Sequence, residues 1–172
     1  MFDKFKEECA VIGVLGDPEA AKFCYLGLYA MQHRGQEGAG IVSTDGVSMS
    51  VYRDMGLVAD VFDEATLEGL EGFGAVGHIR YATFGAKDWR NLQPFVANFS
   101  DKAVAIAHNG NLINATELRA QLEGNGAIFS STSDTEVILH LIAHTAVGQP
   151  LAERVEQALQ TVRGAYSLVL MN

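Results

Sequence analysis

Gln32-His33-Arg34-Gly35-Gln36-Glu37-Gly38-Ala39-Gly40-Ile41 separates two kinds of sequence. Ahead of it, Asp17 is placed as an N-cap and Pro18 as the first helical residue, opening a helix that runs to about Gln32. The apolar residues of that helix include Phe23, Leu26, Tyr29 and Ala30, at helical spacing. The stretch from Arg34 to Gly40 carries too much glycine to continue it. Behind it, residues 41–43 and 47–52 read as a β-hairpin around Thr44-Asp45-Gly46. Residues 10–15, ahead of the helix, read as a short buried strand.

The same alternation continues outward. Residues 66–72 form a short helix or loop, and residues 75–81 and 103–107 are strand-like. Asn114 precedes Glu117 by three positions and Ser133 precedes Glu136 by three, so each pair predicts a capping box at a helix start. A fourth helix follows Pro150, and residues 165–171 form a last strand that runs into the chain end. That abrupt stop predicts a piece of a longer protein. Strands at both ends with helices between them suit sheets covered by helices, an α+β arrangement. Periodicity leaves open whether there is one sheet or two.

The bulk numbers narrow the function. A length of 172 residues suits one domain, and 48% hydrophobic with 19% charged residues is a globular composition. Twelve basic against 21 acidic residues give a net charge of -9, which argues against nucleic acid or an anionic membrane as main partner. No run of about 18 apolar residues predicts a membrane span. Residues 1–8 are too short and too acidic for a signal peptide. Two cysteines, Cys9 and Cys24, do not make a disulfide framework, so a cytoplasmic location is expected.

On its position alone, Cys9 is a small hydrophobe opening a core strand. Other segments change that reading. Gln32 to Ile41 is followed by Gly77-His-Ile-Arg-Tyr-Ala-Thr83, then by His108-Asn-Gly-Asn-Leu112 and by Ser131-Thr-Ser-Asp-Thr-Glu136. With Glu7-Glu8-Cys9, these four motifs in this order resemble the glutaminase domain of amidophosphoribosyltransferases, a class II glutamine amidotransferase. The resemblance implies a four-layer αββα sandwich of the N-terminal-nucleophile hydrolase type, with its active site at one end of two sheets. It implies a cleavable leader at residues 1–8, a partial glutaminase domain at residues 9–172, and a phosphoribosyltransferase domain outside this chain.

The resemblance also assigns roles. Cys9, as residue one of the mature chain, is the nucleophile. A thiol of pKa about 8.5 needs a base, and an α-amino group of pKa about 7.7–8.0 supplies one within the same residue. Asn109 and Gly110 form the oxyanion hole through the Asn amide and the Gly N–H. From spacing alone Asn109-Gly110 is equally a turn. Arg80 and Thr83 hold the glutamine α-carboxylate, since a guanidinium fork matches a carboxylate; an ion pair at a strand end is the ordinary alternative. Asp134 receives the α-ammonium, or is merely an acid in the first helical turn. Arg34 and Tyr81 are supporting candidates, Arg34 having a link to the missing synthase domain as its alternative and Tyr81 core packing. Residues 84–91, with Trp89, are expected to be a lid. Ala10 departs from the family, which usually has Gly after the nucleophile, and its methyl would crowd a cleavage turn there.

Three other signals carry less. Gly72-Phe-Gly-Ala-Val-Gly77 fits a dinucleotide-binding pattern but leads into a strand. His140 and His144 share a helical face with no Glu between them, so a satisfied buried or helix-end pair is expected rather than zinc. Cys24 is expected to be inert core. The expected reaction is hydrolysis of glutamine to glutamate and ammonia. The full protein would then convert phosphoribosyl pyrophosphate to 5-phosphoribosylamine, the first step of purine synthesis. No cofactor is expected in this domain; Mg2+, and in some members an iron–sulfur cluster, would belong to the C-terminal part. The full-length protein is expected to be a homo-oligomer. The competing readings are another class II amidotransferase of the aminosugar or asparagine synthase type, or an unprocessed glutamine-binding fragment without catalysis.

Overall fold

The structure, a computed structural model, describes residues 9–81, 88–99, 102–145 and 148–172. Strands β1 (Ala10–Leu15), β2 (Gly38–Thr44), β3 (Met49–Met55) and β4 (Gly74–Arg80) form one antiparallel sheet in the order β1-β4-β2-β3. Strands β5 (Phe95–Phe99), β6 (Lys102–Leu112) and β7 (Gly164–Met171) form a second in the order β5-β6-β7. The sheets lie face to face. A side chain built on Gly13 of β1 would meet Val169 of β7 at 2.9 Å, and one on Gly74 of β4 would meet Met171 at 3.2 Å.

Helix α1 (Ala20–Ala30) covers the outer face of the four-stranded sheet, and α5 (Asp134–Ala143) covers that of the other, flanked by α4 (Ala115–Gly124) and α6 (Leu151–Leu159). The short helices α2 (Val58–Val61) and α3 (Glu64–Glu68) lie between β3 and β4 in the chain, α3 being capped by Asp63, whose side chain accepts the Thr66 N–H. The layers are therefore αββα, as the family resemblance implies, and the question of one sheet or two is settled at two. Apolar cores lie under the helices: Ala20, Ala21, Cys24 and Leu28 against Ala39, Ile41, Ala75 and Ile79, and Ile138 and Ile142 against Phe95, Ile106 and Leu112.

Several local expectations need correction. Helix α1 begins at Ala20, because Asp17 accepts the Glu19 N–H and forms its own turn first. It ends at Ala30, and residues 32–34 continue as a 3-10 turn. Its buried face is Ala20, Ala21, Cys24 and Leu28; Phe23, Leu26, Tyr29 and Ala30 point outward. The cause is close approach to the sheet: a side chain on Gly27 would lie 2.2 Å from the Ile12 Cδ1 atom. Neither capping box closes. Asn114 precedes α4, but its side chain clamps the α6–β7 connection, donating to the Thr161 carbonyl and accepting the Arg163 N–H. Ser133 caps α5 at Thr135, whereas Glu136 accepts from the N–H and hydroxyl groups of Ser130 and Ser131. Strand β5, just after Pro94, was not expected.

Candidate active site

Strands β4 and β6 run toward the same end of the sandwich, and β1 starts there. Cys9, Arg80 and Asn109 to Leu112 are thereby gathered at that end by topology. Cys9 has φ 71°, the one non-glycine residue with positive φ among the described residues. Its backbone is fixed on both sides by Arg34: the Cys9 N–H donates to the Arg34 carbonyl at 3.2 Å, and Arg34 Nε donates to the Cys9 carbonyl at 2.9 Å. Its sulfur sits against the main chain of Tyr81, whose N–H donates to Sγ at 3.3 Å and whose carbonyl lies 3.6 Å away. The Tyr81 ring is 44% exposed. Among the described residues Tyr81 is therefore not packed in a core, its expected alternative. The strained backbone lies at residue 9 and not at Ala10, which is buried in β1 with an ordinary φ.

The glycines of residues 35–40 let this corner close. A side chain on Gly35 would lie 2.6 Å from the Arg80 carbonyl oxygen, and one on Gly40 would lie 2.2 Å from that of Gln93. Arg80 ends β4. Its Nη1 donates to the Asn91 carbonyl at 3.2 Å, and its Nε lies 3.7 Å from Glu37 Oε2, a buried oxygen with no hydrogen bond. This is the ion pair foreseen as the ordinary alternative, and it leaves the guanidinium part-exposed.

Asn109 and Gly110 do not form a turn. They lie within β6, opposite Ser167 and Tyr166 of β7. Gly110 has φ 145°, and a side chain there would meet the Ala165 carbonyl oxygen at 2.3 Å. Ile106, His108 and Leu112 face α5, so by strand alternation Ala107 and Asn109 face the four-stranded sheet.

Asp134 opens α5, where the helix dipole favours an acid. Its Oδ2 accepts the Leu112 N–H at 3.1 Å, and Oδ1 lies 3.4 Å from His108 Nδ1. Burial alone raises the Asp134 carboxyl, but the bonding and charge of His108 and the Leu112 N–H outweigh it and leave the group below the usual carboxylate range. His108 is buried; its ring also contacts the Thr135 hydroxyl at 3.1 Å, and its carbonyl meets His78 Nε2 of the facing sheet at 3.2 Å.

The fold thus gathers Cys9, Arg34, Arg80 and Tyr81 at the end of the four-stranded sheet and Asn109, Gly110 and Asp134 at the same end of the other sheet and its covering helix. Thr83, residues 84–87 of the expected lid and the leader at residues 1–8 lie outside the described residues. The remaining lid residues are a 3-10 turn (Trp89–Asn91) in which Trp89 is exposed and Asn91 buried. Sequence reasoning gave no role to Glu37, Asn91, Gln93 or His108. The usable signal was polar residues placed beside apolar ones in segments adjoining the motifs, as in Asn91-Leu92-Gln93. Among the described residues no group of three or more His, Cys, Asp or Glu side chains is arranged to hold a metal. His140 and His144 are a helix-end pair, His144 Nδ1 meeting the His140 carbonyl at 2.8 Å. The Gly72 pattern leads into β4, not a helix. No helix among the described residues is long and apolar enough to cross a membrane.

Comparisons with known proteins identify the family. The family described as a glutamine amidotransferase domain matches residues 78–172. An amidophosphoribosyltransferase of Lacticaseibacillus casei is 51% identical over 96% of the chain and 85% of its own length. A chloroplastic amidophosphoribosyltransferase of Vigna aconitifolia is 53% identical over 98% of the chain but only 35% of its own length. The solved glutamine phosphoribosylpyrophosphate amidotransferase of B. subtilis superposes with a TM-score of 0.87 at 43% identity, over 94% of this chain and 35% of that one. The chain thus spans about a third of the length of most of these relatives.

Proposed function

Because the chain belongs to the amidophosphoribosyltransferase family, as its glutamine amidotransferase domain, we propose that it hydrolyses glutamine with Cys9 as nucleophile. The observation that carries this reading is the setting of Cys9: sulfur on the Tyr81 N–H, and both main-chain polar groups held by Arg34. Removal of residues 1–8 by hydrolysis of the Glu8–Cys9 bond would turn the Cys9 N–H into an α-amine. That amine takes the thiol proton as Sγ attacks the side-chain amide carbon of glutamine. Negative charge then develops on the amide oxygen, which the Asn109 amide and Gly110 N–H stabilise. The amine passes its proton to the leaving nitrogen, ammonia departs, and water hydrolyses the thioester to give glutamate and restore the thiol.

The two polar ends of the substrate meet opposite charges. Arg80, with Thr83, takes the α-carboxylate. Asp134, ionised at neutral pH, takes the α-ammonium. In the full-length protein the ammonia would attack C1 of phosphoribosyl pyrophosphate, giving 5-phosphoribosylamine and pyrophosphate. Mg2+, the iron–sulfur cluster of some members and homo-oligomerisation belong to that larger assembly, and none of the steps above uses them. A cytoplasmic location is part of the proposal, resting on cysteine content; the plant relatives are named chloroplastic. The Cys9→Ala and Cys9→Ser variants should both lose glutaminase activity while folding normally. Activity retained in both would place the nucleophile elsewhere.

A further inference from the structure

Glutamine presents its α-carboxylate and α-ammonium on one carbon, so the groups that bind them must be in register to within a fraction of an ångström. Here those groups belong to different layers. Arg80 ends a strand of one sheet, and Asp134 opens the helix that covers the other. Asn91 lies between them and bonds to both sides. Its carbonyl accepts from Arg80 Nη1 at 3.2 Å. Its side-chain amide forms a reciprocal pair with Thr132, two residues before Asp134: Nδ2 donates to the Thr132 hydroxyl at 2.8 Å, and Oδ1 accepts the Thr132 N–H at 2.9 Å. Asn91 is 5% exposed, so its half of the pair is shielded from water, whereas Thr132 is exposed.

The surroundings make this connection stiff. Arg53 Nη1 donates to the carbonyls of Leu92 and Pro94 at 2.8 and 3.0 Å, anchoring the segment to β3. The Gln93 side chain forms its own reciprocal pair with the backbone of His108, at 2.7 and 3.3 Å, just before Asn109. On the far side, Glu136 binds the N–H and hydroxyl groups of Ser130 and Ser131, fixing the loop in which Thr132 sits. A displacement of Thr132 therefore passes to Asp134 and is not absorbed by the loop.

We infer that Asn91 is a positioning residue that registers the carboxylate-binding Arg80 with the ammonium-binding Asp134. The inference rests on the proposed roles of those two residues. Asn91 itself touches no substrate. Its loss should weaken the binding of the amino-acid ends while leaving the reacting amide, Cys9 and the oxyanion donors in place.

The test is steady-state glutaminase kinetics on the full chain with Asn91→Ala, Thr132→Val, both together, and Thr132→Ser. Asn91→Ala should raise the KM for glutamine about tenfold with kcat changed less than threefold. Thr132→Val removes only the exposed hydroxyl, so it guards against a folding artefact, and it should raise KM in the same direction. The double variant should be no worse than Asn91→Ala, because the two side chains act as one unit. Thr132→Ser keeps the hydroxyl and should restore a normal KM. A lowered melting temperature with unchanged KM in Asn91→Ala and Thr132→Val would overturn the inference, as would additive effects in the double variant. Failure of the underlying reading looks different: the unsubstituted chain would show no glutaminase activity, or Arg80→Ala would leave KM unchanged.

Discussion

Replacing Gly110 with alanine should damage the fold and the chemistry together, by an amount the geometry sets. Gly110 has φ 145°, a region that side-chain-bearing residues avoid at a cost of roughly 1–3 kcal/mol. The added carbon would lie 2.3 Å from the Ala165 carbonyl oxygen and 2.6 Å from Tyr166 Cα. Both are backbone atoms of the paired strand, so no side chain can swing aside; β6 and β7 must separate locally. Loss of one or two ladder hydrogen bonds adds about 1 kcal/mol each. The total, about 2–5 kcal/mol, corresponds to a fall in melting temperature of roughly 10 °C for a domain of this size. The same separation turns the Gly110 N–H away from the oxyanion, lowering kcat by roughly 100-fold or more. Calorimetric melting and glutaminase assays read the two effects. Should the variant fail to fold, Asn109→Ala isolates the catalytic part, because its part-exposed side chain faces the site. A Gly110→Ala chain that melts within about 2 °C of the parent and keeps kcat within threefold would refute the reasoning.

Two further predictions follow from buried titratable groups. Burial, aided by Arg80 and His108, pushes His78 down to about 3 from its ordinary 6.5, against a bond to the His108 carbonyl that raises it. Below pH 6.5 the unfolded chain therefore binds a proton that the folded chain refuses, and stability falls as pH drops toward 3. Urea denaturation should show about 2 kcal/mol more loss between pH 7 and 5 in the parent than in His78→Gln; equal losses would contradict the assignment. Burial pushes the Cys24 thiol up to about 12, so it stays protonated and shielded. Iodoacetamide at pH 8 should label Cys9 and spare Cys24 in the folded chain, and peptide mapping that finds Cys24 labelled first would count against this account.

The parts of the fold legible in the sequence were those with a local cause. An unbroken apolar run marked the strand around Ile12, and one interrupted by His78 marked the strand around Val76; helix α1, by contrast, ends at Ala30, ahead of the glycine run of residues 35–40. The face of α1 was misread because size was taken as the sign of burial. The sheet approaches so closely at Gly27 that only Ala20, Ala21, Cys24 and Leu28 fit beneath the helix, and the aromatic residues are left outside. Asn109-Gly110 carries a turn signal yet lies in a strand, because the pairing of β6 with β7 is decided by residues more than fifty positions downstream. The same distance hid the polar connections of the site. Asn91 with Thr132 joins a turn to the loop before α5, and Gln93 with His108 extends the pairing of β5 with β6; no periodicity in either segment encodes its partner. The charged ends of the site, Arg80 and Asp134, were reached through motifs; the residues that align them needed the structure.

The central claim is that residue 9 acts only as residue one. Intact-mass measurement of glutaminase-active protein, coupled to N-terminal sequencing, tests it directly. The account predicts a species lacking residues 1–8, with cysteine as its first residue and activity rising with the fraction cleaved. A fully active species that keeps all of residues 1–8 would contradict it.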